Sequence, residues 1–435
     1  MFYGLNNKKG STSVFLIMIL LTFIFVIGIL TEAAAGKASR VYANSVIDLA
    51  GRSILSEYDI NLKNKYGIFG VITDEETVEK KFNWYLRESF REKEGKINLF
   101  RLNIKEIKAD LSPYPLTNLN GLEEQILAYM KYRIIHEGLN VFDLLEKEGV
   151  LDTYSDSEER KSSEQQTERT LKNKRVLHEL PSRQIKDQCS NFPDLTELLD
   201  LKELNKVTEN TICLNLYILK TFRHQLDNPE WNDTFFKNEI EYILCGRLND
   251  HSNSSIVRAS LVALRTGINV AHIYSDKVKM EAVIAAAELI APGPGALAAQ
   301  IAIAGSWATA EAINDVKRLE KGGRVPLRKT AEDWVISLDS VIQDQIEPTG
   351  LAKNSEEGLN YENYLFLLLC FMNKETKLIR IMDLIQINMK GNYQEDFLIS
   401  QCYWGVDFAS TLERKSGFFV MSGTRIGKFV SSHVY

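Results

Sequence analysis

Histidine and cysteine, the side chains that most often bind metals or act as nucleophiles, are few and scattered in this chain. No two cysteines form a C-x-x-C pair, and no two histidines have the spacing of an H-E-x-x-H helix. The residues concerned are Cys189, Cys213, Cys245, Cys370 and Cys402, with His136, His178, His224, His251, His272 and His433. The sequence therefore predicts no metal site. One or two disulfides and buried free thiols both remain open for the five cysteines.

One glycine-rich segment matches a nucleotide-binding pattern by letter only. Residues 293–298 read G-P-G-A-L-A, which fits G-x-G-x-x-A, and Asp315 follows about 20 residues later. A dinucleotide site needs a preceding strand and free backbone N–H groups. The preceding segment is helical in pattern and Pro294 has no N–H, so we expect no cofactor. No Walker A loop and no G-x-S-x-G elbow is present, and we expect no catalytic residues and no enzyme activity.

The net charge, the composition and the length of the chain limit the class of protein to which it can belong. The chain has 435 residues and a net charge of −6, which argues against a nucleic-acid-binding protein. Its hydrophobic content of 45% and charged content of 25% are ordinary for a globular protein. The length is sufficient for one large or two ordinary domains.

The strongest single signal is an apolar segment near the N-terminus. Of the 17 residues from 14 to 30, 14 are Leu, Ile, Phe or Val, and residues 11–31 carry no charge. At about 1.5 Å per residue, a helix over 11–31 reaches roughly 31 Å, the thickness of a hydrocarbon core. The sequence predicts a membrane-spanning helix over residues 14–31, with membrane lipid as its partner.

Charges beside the span predict its orientation and a candidate processing site. Lys8 and Lys9 precede it and Glu32 follows it, so the bias of positive charge toward the cytoplasm places residues 1–13 inside and the bulk of the chain outside. The Lys9-Gly10-Ser11 sequence also resembles the site cut by prepilin peptidases, which makes Gly10 and Ser11 candidate processing residues. Pilins usually carry Glu five residues after that glycine, where this chain has Phe15.

A cleavable signal peptide is the alternative, because Ala33 and Ala35 form an A-x-A-like site. Against it, the apolar run is longer than a usual signal core, and an amphipathic pattern continues beyond the site through Ala43, Ile47 and Ile54. We therefore expect a stalk region over 32–64, in which the helix continues from the membrane to about Asn61.

The remaining pattern predicts a mainly helical α+β fold with a small, mostly antiparallel sheet. Strands are expected at 66–72 and 98–111, with a strand pair in 417–435 that joins the same sheet. Helices are expected at 82–90, 122–145, 195–209, 211–224, 234–245, 255–274, 279–290, 296–321, 331–344 and 361–388. These elements form the predicted ectodomain, the part of the chain outside the membrane. Its first part covers 65–151, and its second part, with the C-terminal strands, covers 176–435.

Two segments have unusual composition. Residues 152–175 contain 12 charges among 24 residues and predict a flexible excursion, with a solvated helix as the alternative. Residues 289–310 are uncharged, but their Pro-Gly-Pro-Gly turn and many alanines favour a packed helical hairpin over a second membrane span.

Several segments together resemble a known family. They are residues 9–15, 56–59, 62–70, 125–133 (QILAYMKYR), 239–246 (EIEYILCG), 323–330 (GRVPLRKT), 361–368 and 380–388 (RIMDLIQIN). The chain is similar over most of its length to the domain of unknown function 5702 family of bacteria with a thick wall and one membrane. Members resemble the TadE and TadG proteins at their N-termini and commonly accompany genes for Tad (Flp) pili.

The resemblance implies a membrane-anchored, pilin-like accessory protein of a Tad-type pilus or secretion apparatus, with other pilin-like or assembly proteins as partners. It carries no catalytic residues. A membrane-tethered binding or sensing module unrelated to pili is the alternative, and an envelope enzyme is a third hypothesis.

Overall fold

The computed structural model describes residues 9–91, 100, 102–137, 177–184, 207–227, 234–330, 332–346, 358–414 and 424–435. The predicted α+β, mainly helical class with antiparallel sheets is confirmed. The chain divides into two compact units, a sheet unit (Met1–Lys63, Phe69–Asn118 and Ser400–Tyr435) and a helical unit (Asn64–Ile68 and Leu119–Ile399). The charged segment 152–175 lies outside the described residues, as do residues 195–206 of the helix predicted over 195–209.

The sheet unit is built on one long helix. α1 (Lys9–Leu55) runs unbroken for 47 residues, and α2 (Ile60–Tyr66) follows after a turn. α1 ends at Leu55, before the end of the predicted stalk over 32–64. The reason is local, since the Asp59 carboxylate accepts the Leu62 N–H at 2.8 Å and begins the next helix.

Three strands form an antiparallel sheet in the order β2–β4–β5. β2 (Leu102–Asp110) and β4 (Gly405–Arg414) pair over nearly their whole length, and β5 (Thr424–Val434) pairs with β4. Two further short strands, β1 (Val71–Ile72) and β3 (Cys402–Tyr403), pair with each other. The C-terminal strand β5 shares a sheet with β2, as predicted, but β1 does not join that sheet and pairs with β3 in a second one.

Two strand predictions were wrong in detail. The segment 66–72 is not a strand throughout, because α2 continues to Tyr66 and Gly67 then takes a left-handed φ of 67° that ends the helix. The partner of β5 is β4, which precedes the predicted region; residues 415–423 are not described. β4 was missed although buried and half-buried side chains alternate along it.

The core of the sheet unit lies between α1, the sheet and α3 (Glu75–Phe90). Asp74 caps α3 by accepting the Thr77 N–H at 2.9 Å. The rings of Phe82 on α3 and Phe408 on β4 stack with centroids 3.9 Å apart. Ile47 and Ile54 of α1 belong to the same buried cluster.

The described part of the helical unit consists mainly of helices, the longest of which has 26 residues. They are α4 (Leu119–Glu137), α5 (Pro181–Gln184), α6 (Glu209–Thr221), α7 (Glu239–Cys245), α8 (Asp250–Ser275), α9 (Lys277–Ile290), α10 (Ala296–Glu320), α11 (Leu338–Ile342), α12 (Tyr361–Cys370) and α13 (Lys374–Asn392). The predicted hairpin of α9 and α10 is confirmed, with the Gly293–Gly295 turn between them. The helical segment Gly293–Glu320 is long and apolar enough to cross a membrane, and 44% of its most apolar 18-residue stretch is buried within the protein.

Two helix predictions in this unit needed correction. The single helix over 361–388 is divided, because Asn373 caps α13 by accepting the Thr376 N–H at 3.1 Å. The helix over 331–344 reduces to α11, because Asp333 accepts the Thr330 N–H and forms a turn instead.

Candidate functional site

The apolar half of α1 presents its side chains outward. The 18-residue window of highest hydropathy, with a mean of 3.0, has none of its residues buried. Polar groups inside it are satisfied within the helix, since the hydroxyls of Thr22 and Thr31 donate to the carbonyls of Met18 and Ile27 at 2.7 Å. Such a surface suits hydrocarbon rather than water. The helix is long and apolar enough to serve as a membrane anchor or a signal sequence.

The predicted processing and topology residues stand at the start of this helix. Lys9, Gly10 and Ser11 form the beginning of α1. Lys8 lies outside the described residues. The helix continues without a break through Ala33 and Ala35, where a signal-peptide site was the alternative.

The second half of α1 packs on the sheet through one face. Ser39, Ala43, Ile47, Ala50 and Ile54 recur at spacings of four and three and are all buried. Small residues on this face allow the helix to approach the strands closely. The amphipathic continuation predicted from Ala43 onward is thus confirmed.

Two polar contacts join this face to the strands. At the end nearer the apolar half of α1, Arg414 of β4 donates to Glu32 at 2.6 Å, and both side chains are mostly buried. Farther along, the ring of His433 on β5 lies against Gly51, with its Nδ1 3.7 Å from Asp48. Burial lowers the pKa of the His433 imidazole, which favours the neutral form in the folded unit.

In the helical unit, α13 is buried on nearly all sides although it carries several polar side chains. Lys377 donates to the side-chain Oδ1 of Asn215 on α6 at 2.8 Å, and burial lowers the pKa of Lys377 to about 8. Arg380 donates to the carbonyls of Ile243 and Leu244 at 2.7 Å, at the C-terminal end of α7. Each contact ties α13 to a different neighbour.

The next turns of α13 continue this pattern. Asp383 accepts the Ser182 N–H at 2.9 Å and the Tyr242 hydroxyl at 2.8 Å, and burial raises its pKa to about 6. Asn388 donates to Glu239 at 2.6 Å, and burial raises the pKa of Glu239 to about 7. We call Lys377, Arg380, Asp383, Gln386 and Asn388 the α13 polar hub. Because every member bonds to another segment, the hub fixes how the helices pack.

A second buried polar group joins α8, α10 and the loop after α10. Arg265 contacts Asp315 at 3.0 Å and donates to the Leu327 carbonyl at 2.9 Å. Lys329 pairs with both Asp315 and Glu311, and Glu311 also accepts the Ile336 N–H at 2.7 Å. Two cations and two anions balance here. Glu311 also accepts backbone N–H groups, and Arg265 donates to backbone carbonyls. The arrangement suits a structural clamp on the 325–336 loop.

Within the described residues, the histidines and cysteines considered as metal ligands or nucleophiles do not form a common site. The described part of the chain contains no group of three or more His, Cys, Asp or Glu that could hold a metal ion. Its histidines at 224, 272 and 433 pack separately on Tyr361, Trp334 and Phe408. Cys213, Cys245, Cys370 and Cys402 are free thiols. Burial raises the pKa of Cys245 to about 12 and of Cys370 to about 11, so neither is an activated nucleophile.

Sequence reasoning missed the residues that organise both units. Arg414 and His433 contact α1, which is remote from both in sequence, so nothing local marked them. The α13 polar hub could have been predicted from the sequence, because polar residues recur inside the apolar segment 380–388 (RIMDLIQIN). Polar residues at such positions in a helix predicted to be buried indicate hydrogen-bonded core contacts.

These features define a mainly helical α+β protein with a long apolar N-terminal helix packed on an antiparallel sheet. The model of a family of unknown function (DUF5702) matches residues 133–413, and the chain belongs to this family. Comparisons with curated proteins and with solved structures give no match.

Proposed function

We propose that this protein is a membrane-anchored, pilin-like structural component of a Tad-type pilus or secretion apparatus, without catalytic activity. The observation that carries the proposal is the division of α1 into two halves. None of the most apolar stretch of its first half is buried, whereas its second half is packed on an antiparallel sheet. Pilin subunits have the same arrangement: one half of the helix lies in the membrane or fibre, and the other half packs on the globular domain.

An uncleaved anchor fits the way the helix continues. If cleavage followed Ala35, Glu32 would be lost and Arg414, which is mostly buried, would lose its ion-pair partner. Cutting between Gly10 and Ser11 would instead leave the span and the Glu32 contact intact. The mature chain then begins at Met1 or Ser11, and its bulk lies on the extracytoplasmic side.

The family motifs support a structural role rather than a catalytic one. Segments 239–246, 323–330 and 380–388, which carry the resemblance, contain Glu239, Lys329 and four of the five members of the α13 polar hub. These side chains bond to other parts of the same unit. The partners we propose are membrane lipid and other pilin-like or assembly proteins.

The anchor is tested by the double variant Leu20→Arg/Phe23→Arg. Each arginine at the helix centre costs about 2.5–3.5 kcal/mol of insertion free energy. We expect the variant to leave the carbonate-resistant membrane fraction, while Leu49→Arg, an exposed position beyond the span, stays in it. N-terminal sequencing of the native protein distinguishes Met1, Ser11 and Gly36 as the first residue, and Gly36 would contradict the anchor.

The pilus role is tested by deleting the gene and imaging surface fibres by electron microscopy, with secretion measured in parallel. Loss or alteration of fibres supports the proposal, and complementation with the Leu20→Arg/Phe23→Arg gene should fail. Normal fibres with normal secretion would exclude the proposed role.

A membrane-tethered binding module unrelated to pili is the second candidate. It is favoured by an open cavity in the sheet unit, between α3 and β2. This candidate predicts normal fibres in the deletion strain together with a ligand that binds the full-length protein.

A further inference from the structure

A cavity of about 280 Å³ opens between α3 and β2, the edge strand of the three-stranded sheet. Its volume is close to the lower limit of small-molecule sites, which start at about 300 Å³. The strand side is lined by Ile104 and Ile107, both half-buried, and the helix side by polar side chains that include Asn83 and Arg87. The cavity therefore combines an apolar floor with polar walls.

The backbone of β2 is open where it borders this cavity. Farther along the strand, the Ala109 N–H donates to Glu79 at 2.9 Å, so it points away from β4. Ile107 precedes Ala109 by two residues in the same uninterrupted pairing with β4, so its N–H and C=O also point outward. Glu79 and Glu75 take the place of a neighbouring strand at Ala109 and Leu111. Within the described residues, no group does so at Ile107.

Asn83 supplies a second unused polar group at the same place. Its side-chain Oδ1 is enclosed and has no hydrogen-bond partner in the described residues. A primary amide can accept two hydrogen bonds and donate two, so it can bond to both the N–H and the C=O of a peptide backbone. An enclosed acceptor without a partner costs free energy until a donor arrives. Asn83 and Ile107 thus offer hydrogen bonds from opposite walls of one cavity.

Most of the charged side chains around the cavity have a partner. Lys80 pairs with Glu76, Glu106 with Lys108 at 3.3 Å, and Lys105 with Glu413 at 3.2 Å. The Glu79 carboxylate keeps its charge, but it already accepts the Ala109 N–H. Arg87 has no ion pair or hydrogen bond among the described residues, so it is the cation at the cavity that is available to a ligand.

We propose that this cavity binds an extended peptide segment of a partner protein. The peptide backbone pairs with the N–H and C=O of Ile107 and bonds to Asn83, while an acidic side chain of the peptide pairs with Arg87. An exposed strand edge is a ready template for this kind of strand addition. The apolar floor of Ile104 and Ile107 receives the alternate side chains of the peptide.

The test uses the full-length protein in nanodiscs and three libraries of acetylated, amidated pentapeptides built from Val, Ile and Thr. The first has Asp at the central position, the second has Lys there, and the third repeats the Asp set with N-methylated peptide bonds. Hydrogen exchange followed by mass spectrometry with site-resolving fragmentation reports the protection of the Ile107 amide, and fluorescence anisotropy of labelled peptides gives Kd.

We expect the Ile107 amide to exchange freely in the protein alone and to become protected with the Asp library. Asn83→Ala should weaken binding about five-fold, the effect of one hydrogen bond of about 1 kcal/mol. Arg87→Glu should reverse the preference, so that the Lys library binds more tightly than the Asp library. Glu88→Gln, on α3 but outside the cavity, serves as the control and should bind as the parent does.

Other outcomes overturn the proposal. They are a slowly exchanging Ile107 amide in the protein alone, equal protection by the N-methylated library, equal binding of the Asp and Lys libraries, or no protection at millimolar peptide. Thermal unfolding of each variant separates loss of binding from loss of fold. If Asn83→Ala does not fold, the reversal by Arg87→Glu decides the matter.

Discussion

The imidazole of His433 lies directly on the backbone of Gly51, with no room for a side chain between strand and helix. A Cβ added at Gly51 would stand 2.3 Å from the His433 ring carbon Cδ2. The contact joins β5, near the end of the sequence, to the helix that begins it. The close approach is thus a property of the fold that only glycine at this position allows.

Substituting this glycine should loosen α1 from the sheet. Gly51→Ala would gain about 1 kcal/mol in helix propensity but displace the ring, and overpacking of this kind costs about 1–3 kcal/mol or more. We expect a net loss of stability in thermal unfolding of the full-length protein in detergent. Gly36→Ala is the matched control on the same helix, because its nearest contact would be 3.9 Å away, and it should be stabilising. Equal shifts in Tm for the two variants would contradict the proposed close contact.

The sequence was sufficient where a signal is local, and insufficient where a contact joins distant residues. The continuity of α1 past Ala35, the α9–α10 hairpin and the helical class follow from hydrophobic periodicity and turn residues. The division of residues 361–388 by Asn373 escaped prediction, because a side-chain cap within an apolar pattern leaves the period nearly unchanged. β4 was missed because its alternation is interpretable only beside β2 and β5.

The ion pair of Glu32 and Arg414 should contribute measurably to the attachment of the stalk. Their side chains are 24% and 10% exposed, so the pair is only partly screened by water. We expect Arg414→Met to lower the free energy of unfolding by about 1–3 kcal/mol, because it leaves the Glu32 carboxylate without a partner. A double-mutant cycle with Glu32→Gln should give a smaller loss for the double variant than the sum of the singles.

The Lys105–Glu413 pair on the same sheet is the control for that cycle. Its side chains are 52% and 33% exposed, and exposed pairs contribute about 0–1 kcal/mol. An interaction energy as large as that of Glu32 and Arg414 would show that burial is not what gives the latter its strength.

Glu239 should make the helical unit less stable as the pH rises. Burial raises its pKa to about 7, above its ordinary value of 4.5, so the folded unit binds this proton more tightly than the unfolded chain does. Its contribution is therefore fully present below about pH 4.5 and is lost as the pH rises through about 7. A difference of this size corresponds to roughly 3 kcal/mol.

Glu239→Gln isolates this effect, because glutamine keeps the shape but does not titrate. Unfolding in urea at a series of pH values should show the variant gaining on the parent by about 2–3 kcal/mol between pH 4.5 and 8. Glu281→Gln, on the exposed face of α9, should show no such trend. A constant difference between parent and Glu239→Gln across this range would mean that Glu239 has an ordinary pKa in the folded unit.

Lys329 should be the most sensitive position of the buried ion cluster. Its ammonium group pairs with Glu311 and Asp315, and all three side chains are at most 3% exposed. Lys329→Met would leave two buried carboxylates with Arg265 as the remaining cation, and removal of one partner from a buried pair costs about 3–5 kcal/mol. We expect a loss of this size in urea unfolding, and faster hydrogen exchange at the Val335 and Ile336 amides, which Glu311 accepts. Lys277→Met, an exposed lysine at the start of α9, should change stability by less than about 0.5 kcal/mol. Slow exchange at both amides in Lys329→Met would show that Glu311 holds the loop without the lysine.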